Sequence, residues 1–142
     1  TTRMPYMKPV YDVLEKNRGK VIYFDFWARW CPPCLAEMEP LKQLRSKFST
    51  DDLIIYSICV SEPKEQWEEC LNEYSLKNRG IECVHVTDYL GIDNYQKIRK
   101  QWKIDRMPYY VLINRKGQII DFGTAARPSN PQLVSRIEEA VK

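Results

Sequence analysis

Two cysteines separated by two prolines form the pattern with the clearest chemistry, Cys31-Pro32-Pro33-Cys34. An apolar run over 21–24 predicts a strand before the pair, and apolar residues three or four positions apart predict a helix after it. A thiolate at Cys31 would lie at the start of this helix, where unpaired N–H groups and the helix dipole favour negative charge. Such sites bring a cysteine pKa from about 8.5 toward neutral or below. The pattern therefore predicts a redox-active pair.

Zinc binding is the alternative use of this pair. A structural zinc site needs four ligands. Cys83 and His85 share a face of a short predicted strand and are the candidates to complete such a site, but a second Cys-x-x-Cys is missing. The strand–helix placement favours redox use. We therefore expect no metal, and no cofactor besides a redox-active Cys31–Cys34 disulfide.

Two acidic residues flank the cysteines. Asp25 lies inside the apolar strand before Cys31, where an isolated carboxylate is costly to bury. It is solvated at the sheet end, held by structural hydrogen bonds, or kept with a raised pKa that makes it the proton acceptor for Cys34. Glu37 lies one turn after Cys34 on the same helical face, so it can also take that proton or stay solvated. The sequence leaves the choice between Asp25 and Glu37 open.

Composition bounds the class of protein. The chain has 142 residues, of which 44% are hydrophobic, and this predicts a single domain. The net charge is +3 with Lys and Arg scattered among acids, so we expect no nucleic-acid partner. No apolar run approaches the roughly 20 residues that cross a bilayer, so we expect no membrane insertion by this segment. The first residue is Thr1 and no signal peptide is present, which suggests a processed form or a domain excised from a longer protein.

Five cysteines, an odd number, cannot form a closed disulfide framework. Cys59 and Cys70 fall on apolar positions of a predicted strand and a predicted helix, so we expect small core residues there. The sequence does not decide the role of Cys83. A lone histidine on a strand, here His85, is more often structural than catalytic.

Periodicity predicts five helices and five strands in the order α-β-α-β-α-β-α-β-β-α. The helices are predicted over 5–18, 33–48, 63–77, 92–102 and 129–141, and the strands over 20–27, 53–60, 81–86, 109–113 and 118–122. Pro40 predicts a kink in the second helix. Ser61 is the predicted cap of the third, and 87–91 is a predicted loop. Right-handed crossovers place the early strands parallel and the last hairpin strand, after the turn 114–117, at an edge of a three-layer α/β fold.

The residues Phe26-Trp27-Ala28-Arg29-Trp30-Cys31-Pro32-Pro33-Cys34, followed by Met107-Pro108 and a strand hairpin, resemble the thioredoxin superfamily over about 20–142. The resemblance implies a thioredoxin-like fold, three-layer α/β/α with a mixed central sheet and an antiparallel C-terminal hairpin, in one domain over 1–142. It also implies that Pro108 is cis beside the cysteines. Met107 is then expected to present main-chain groups to a substrate, with Trp30 and Pro32 as further contacts.

Glu37 also matches the Cys-x-x-Glu pattern of the bacterial cell-envelope group of TlpA/ResA-like thiol–disulfide oxidoreductases. Residues about 63–91 look like that group's insertion, and 1–19 form an N-terminal helical extension. Two residues depart from the group: Pro40 falls one position later than its usual proline, and Asp25 resembles the buried acid of ordinary thioredoxins. The resemblance implies the bacterial periplasm or cell envelope, with the cytoplasm as the alternative.

The predicted function is thiol–disulfide exchange through Cys31 and Cys34. No histidine lies between the cysteines, so we expect reduction of protein disulfides rather than oxidation of dithiols. The expected partners are a protein disulfide or dithiol substrate and an upstream thiol electron donor. One alternative is a peroxiredoxin-type peroxidase, although Ala28 stands where those enzymes carry Thr or Ser. The other is a thioredoxin-like docking domain of a larger envelope protein.

Overall fold

The computed structural model describes residues 4–142, and its centre is a five-stranded mixed sheet of order β3-β2-β1-β4-β5. The strands are β1 (Val21–Trp27), β2 (Leu53–Cys59), β3 (Ile81–His85), β4 (Tyr109–Ile113) and β5 (Ile119–Gly123). Strands β1, β2 and β3 are parallel, whereas β4 runs antiparallel to β1 and β5 antiparallel to β4. The predicted parallel early strands and edge hairpin strand are confirmed.

Seven helices accompany the sheet within the described residues. They are α1 (Lys8–Lys16), α2 (Pro32–Ala36), α3 (Met38–Lys47), α4 (Lys64–Glu73), α5 (Val86–Tyr89), α6 (Ile92–Trp102) and α7 (Pro131–Ala140), and a 3-10 turn over Pro5–Met7 precedes α1. Helices α1 and α6 pack on one face of the sheet, and α3 and α7 pack on the other. The predicted three-layer α/β fold is confirmed.

Strand β1 lies at the centre because both of its faces are apolar. Phe24 and Phe26 face α1 and α6, while Val21 and Tyr23 face α3 and α7. A strand covered by helices on both sides is typically a continuous apolar run, as this one is. Asp25 is the one ionisable carboxyl group in β1, and it alternates onto the face of Tyr23. The same strand therefore leads directly to the cysteine pair and carries an acid at position 25, before Cys31 in the chain.

The single helix predicted over 33–48 is two helices, α2 and α3, which meet at Glu37. Pro40 causes the break. It has no N–H for the carbonyl of Ala36, and its ring crowds that carbonyl. The disturbance therefore falls about one turn before the proline, whereas the sequence predicts a kink at the proline itself.

Three further local predictions were wrong. Helix α4 begins after Pro63 with no side-chain cap, so Ser61 does not cap it. Residues 86–89, predicted in part as a loop, form the short helix α5. The helix predicted over 5–18 is a 3-10 turn followed by α1, which ends at Lys16. In contrast, the hairpin turn at 114–117 is confirmed, with Gly117 at a φ of +80°.

Within residues 4–142, no helix is both long enough and apolar enough to cross a bilayer. Of the predicted N-terminal extension over 1–19, the first three residues lie outside the described part of the chain. Residues 63–91, predicted as an insertion, supply α4, α5 and the edge strand β3.

Candidate active site

Cys31 and Cys34 form a disulfide at the end of β1 and the start of α2. Cys31 is the N-cap residue of α2, and its Sγ accepts a hydrogen bond from the Cys34 N–H at 3.3 Å. Pro32 occupies the first helical position, where its missing N–H has no intrahelical partner to lose. A donor aimed at the Cys31 sulfur favours the thiolate form of that residue. The local sequence thus builds a site suited to a nucleophilic sulfur.

The disulfide is almost fully buried, whereas the residue before it is exposed. Cys31 is 4% exposed and Cys34 is 2% exposed, whereas the neighbouring Trp30 is 69% exposed. Trp27 is buried beneath them and packs in the same cluster as both cysteines. The indole of Trp30 is therefore outside the core, next in sequence to a sulfur that is barely exposed.

Met107 and Pro108, just before β4, form a second wall of the candidate site, in addition to Trp30 and Pro32 next to Cys31. The peptide bond between them is cis, as the resemblance implied. Met107 packs against the cluster that contains Cys31 and Cys34, and Pro108 is buried. The Pro108 carbonyl accepts a hydrogen bond from Thr124 Oγ1 at 2.7 Å, which ties this wall to the segment after β5.

Asp25 is buried, with 4% exposed, and its neighbour across β2 is Ser57. The Ser57 hydroxyl donates to Asp25 Oδ2 at 3.5 Å, a long hydrogen bond. Burial raises the pKa of Asp25 from 3.8 to about 7, Ser57 opposes this shift, and the negative charge of Glu37 adds to it. A carboxyl group with a pKa near 7 can both accept and release a proton at neutral pH.

Glu37 lies at the junction of α2 and α3, and it holds the segment before α7. Its Oε1 accepts from the Ser129 N–H at 2.9 Å, and its Oε2 accepts from the Ser129 hydroxyl at 2.7 Å. Glu37 is therefore a fixed negative charge near Asp25, with both of its oxygens already engaged.

The remaining cysteines surround the disulfide as reduced thiols. Cys59 and Cys70 are fully buried, which confirms the expected core positions, and Cys83 is partly buried. Burial raises the pKa of all three thiols, that of Cys83 to about 12. A thiol with a raised pKa is a poor nucleophile near neutral pH. These three residues are therefore unsuited to exchange chemistry.

The residues proposed to complete a zinc site have other partners. Cys83 Sγ donates to the Leu76 carbonyl at 3.8 Å, and His85 Nε2 lies 2.8 Å from the Ser61 carbonyl. Over residues 4–142, no group of three or more His, Cys, Asp or Glu side chains is arranged to hold a metal ion.

Sequence reasoning missed four polar residues that support the site: Ser57, Ser61, Thr124 and Ser129. Ser57 carried a usable signal, because it is the single polar residue in an otherwise apolar strand beside the one that contains Asp25. Ser129 carried none, since it reaches Glu37 across 92 residues of sequence.

Comparison with known proteins agrees with this geometry. Residues 9–141 match the family described as Redoxin, so the chain belongs to the Redoxin family. It is 26% identical over 108 residues to the thiol–disulfide oxidoreductase ResA of Bacillus thuringiensis, a stretch that covers 76% of this chain and 57% of that protein. The predicted resemblance to the thioredoxin superfamily and to its ResA-like branch is confirmed. The chain spans little more than half the length of such curated relatives.

Comparison with solved structures also finds thiol–disulfide oxidoreductases. The solution structure of a candidate thiol–disulfide oxidoreductase from Bacteroides vulgatus is 32% identical, with a TM-score of 0.69, and the match covers 89% of this chain and 76% of that one. The thioredoxin domain of a thiol–disulfide oxidoreductase from the same species has a TM-score of 0.74 at 22% identity, covering 91% of this chain and 84% of that domain. The second likeness establishes the thioredoxin-like fold.

Proposed function

We propose that this chain is a thiol–disulfide oxidoreductase that reduces protein disulfides through Cys31 and Cys34. The observation that carries the proposal is the Cys31–Cys34 disulfide at the start of α2, with the cis Met107–Pro108 bond packed against it. The family membership and the names of the relatives support the reaction class. No further cofactor is required, because the disulfide itself accepts and delivers the electron pair.

The reaction proceeds in two exchanges. The Cys31 thiolate attacks one sulfur of the substrate disulfide, which forms a Cys31–substrate bond and releases the other substrate sulfur as a thiolate. Cys34 then loses its proton and attacks the Cys31 sulfur, which releases the second substrate thiol and forms the Cys31–Cys34 disulfide. The substrate gains two electrons and the pair loses two. An upstream dithiol donor then reduces the pair by the same steps in reverse.

Asp25 is the proposed proton acceptor for Cys34. Its pKa near 7 lets it take a proton at neutral pH, and its burial keeps the transfer away from solvent. Glu37 is the weaker candidate because Ser129 occupies both of its carboxylate oxygens. We assign Glu37 the role of a fixed charge that helps to set the pKa of Asp25.

The substrate contacts proposed are Trp30, Pro32, Met107 and Pro108. Trp30 and Pro32 are exposed next to Cys31 in the chain, and Met107 is partly exposed and packs against the cluster that contains the disulfide. An extended substrate segment that runs between these two walls presents its disulfide to Cys31. The apolar character of the walls favours substrates with apolar residues next to their cysteines.

Reduction is the proposed direction because no cation lies between the cysteines to stabilise the thiolate strongly, as it does in oxidants. We place the protein in the bacterial periplasm or cell envelope by analogy with its ResA-like branch. Its three free cysteines are compatible with an oxidising compartment, because burial raises their pKa values and makes them unreactive.

The test is reduction of insulin disulfides with dithiothreitol as the electron donor. We expect turbidity to develop with the parent protein and not with Cys31→Ser, whereas Cys34→Ser should accumulate a mixed disulfide through Cys31. An equal rate for the parent and Cys31→Ser would overturn the proposal. A redox titration decides the direction: a potential near about −270 mV supports a reductase, and one near about −120 mV an oxidant. Peroxide consumption by the purified chain alone would favour a peroxidase instead.

A further inference from the structure

The two ends of the segment between β2 and α6 are fastened together beside the cysteine pair. His85 Nδ1 accepts the Thr87 N–H, so the Nε2 atom carries the proton and donates to the Ser61 carbonyl at 2.8 Å. The Thr87 hydroxyl donates to Glu62 Oε1 at 2.6 Å. An ion pair between Lys64 and Asp88 adds a third link. We call the six residues of these links the insertion base: Ser61, Glu62, Lys64, His85, Thr87 and Asp88.

Ser61 connects the insertion base to the turn that carries Cys31. It is 6% exposed, and its Oγ accepts the Arg29 backbone N–H at 2.9 Å. The same Oγ lies 3.3 Å from Cys59 Sγ, on β2. Helix α4 begins after Pro63 with no side-chain cap, so the Ser61 hydroxyl is not engaged by that helix and accepts the Arg29 N–H instead.

The charge of Arg29 acts on the same segment. It lowers the pKa of the Cys70 thiol of α4, against the larger, opposite effect of burial. The backbone N–H of Arg29 is thus anchored at Ser61, and its charge acts on the helix that follows. Arg29 belongs to a turn closed by the Cys31 N–H, which donates to the Ala28 carbonyl at 3.2 Å.

The position of this turn decides where the Cys31 sulfur lies. That sulfur accepts the Cys34 N–H, a contact that depends on the placement of Cys31 at the cap of α2. A backbone N–H that loses its buried partner must move or remain unsatisfied, so the loss of the Ser61 hydroxyl would displace the turn. Small displacements at a reacting atom lower rates strongly.

We propose that Ser61 is a positioning residue of the exchange reaction, which holds the Cys31 turn through Arg29 N–H and is itself held by the insertion base. The inference rests on the proposed thiol–disulfide chemistry. The proposal gives the segment between β2 and α6 a role in that chemistry. The segment keeps the Cys31 Sγ within hydrogen-bond distance of the Cys34 N–H.

The test compares Ser61→Ala with the parent in three measurements. We expect kcat for insulin reduction to fall about five- to tenfold while KM changes less than about twofold, because the attack geometry is lost and the substrate walls are not. The midpoint of the thiolate absorbance at 240 nm should move to higher pH. The reduction potential should become more negative, because the reduced form loses stabilisation of its thiolate.

Two control variants isolate the Arg29 contact. Ser61→Thr keeps the hydroxyl and should restore parental values. Cys59→Ala removes the other partner of that hydroxyl and should leave the thiolate midpoint unchanged. Thr87→Ala, at the exposed end of the insertion base, should shift the midpoint in the same direction by a smaller amount, and it carries the test if Ser61→Ala does not fold.

Folded Ser61→Ala with the parental thiolate midpoint and potential would overturn the proposal, as would an equal shift in Ser61→Thr. If Ser61→Ala does not fold, a parental midpoint in Thr87→Ala overturns it. The absorbance and potential measurements need no protein substrate. They therefore still report on Ser61 if insulin reduction fails and the proposed function falls.

Discussion

Asp25 is the residue at which stability and proposed chemistry oppose each other. An apolar side chain in β1 would be stabilising, yet the carboxyl group lies buried with one long hydrogen bond. Burial raises its pKa to about 7, so the native protein keeps it protonated at pH values where the unfolded chain has ionised it. The stability that the protonated Asp25 carboxyl contributes to the fold is therefore fully present below about pH 4 and is lost as the pH rises through about 7.

Asp25→Asn should therefore stabilise the protein in a pH-dependent way. A pKa unit corresponds to about 1.4 kcal/mol, so we expect the free energy of unfolding to rise by up to about 4 kcal/mol at pH 8 and to be nearly unchanged at pH 3.5. Insulin reduction should slow about tenfold or more and lose its pH dependence near 7. Urea unfolding and rate profiles over pH 4–9 measure both effects, and an equal stability gain at both pH values would contradict the raised pKa.

Single residues could be predicted where the chemistry is local in sequence. Cys31 and Cys34 follow from a strand, a helix and their spacing. The sequence marks Asp25 as a costly acid, although its pKa depends on how deeply the fold buries it and on the opposing contact with Ser57, 32 residues away. Ser61 was misassigned, because a serine two residues before a helical run has the same sequence signature whether it caps the helix or accepts the N–H of a distant loop.

At the scale of elements, the break between α2 and α3 places Glu37 where its carboxylate contacts Ser129. Pro40 interrupts the helix one turn earlier, and Glu37 stands at that break. There its carboxylate meets Ser129 just before α7. This contact links the start of α3 to the segment before α7.

Glu37→Gln tests the role of that junction. Loss of the negative charge should lower the pKa of Asp25, so the midpoint of the rate profile should move to lower pH while kcat at its plateau stays within about twofold. Stability should fall by about 1 kcal/mol, because a partly exposed, charge-assisted contact with Ser129 is weakened.

Glu39→Gln is the matched control, because that carboxylate is exposed on α3 and paired with Lys42. It should leave the rate profile unchanged. A large fall of the Glu37→Gln plateau, together with a parental rate for Asp25→Asn, would instead identify Glu37 as the proton acceptor.

Elements were predictable where apolar spacing is regular, as for α6, β4 and the turn at 114–117. The prediction failed at ends and breaks. Helix α5 has four residues, too few for a period to be read. The helix breaks near Pro40 at the carbonyl that the proline ring crowds. That carbonyl lies one turn earlier, so the break falls at Glu37 and not at the proline.

At the scale of the whole molecule, the site and the main anchor of the chain lie at opposite ends of the sheet. Arg115, in the β4–β5 turn, donates to the Gly19 carbonyl before β1, to Asp52 before β2 and to the Val141 carbonyl after α7. One guanidinium thus joins three segments that are distant in sequence. The disulfide lies beyond the far end of β1.

Arg115→Ala should therefore separate stability from activity. We expect the free energy of unfolding to fall by about 1–2 kcal/mol, because three hydrogen bonds at a partly exposed site are lost, with kcat unchanged. Arg18→Ala, which removes an exposed pair with Glu15, should leave the free energy of unfolding nearly unchanged. Urea unfolding and insulin reduction provide the readouts. A lower kcat in folded Arg115→Ala would mean that the two ends of the sheet are coupled.

The parallel early strands and the edge position of β5 could be predicted because right-handed crossovers and one hairpin leave few topologies. The contacts of Arg115 could not, since three loops meet there only after the sheet has formed. The same holds for the wall formed by Met107 and Pro108, which the family resemblance supplied and periodicity did not.

The reach of Glu37 to Ser129, 92 residues along the chain, has a consequence for biosynthesis. Cys31 and Cys34 leave the ribosome well before Pro108, and Ser129 follows later still. During that interval the nascent pair lacks its second wall and the fixed charge near Asp25, so it is an ordinary exposed dithiol. The proposed exchange site is therefore complete only after the segment before α7 has been synthesised.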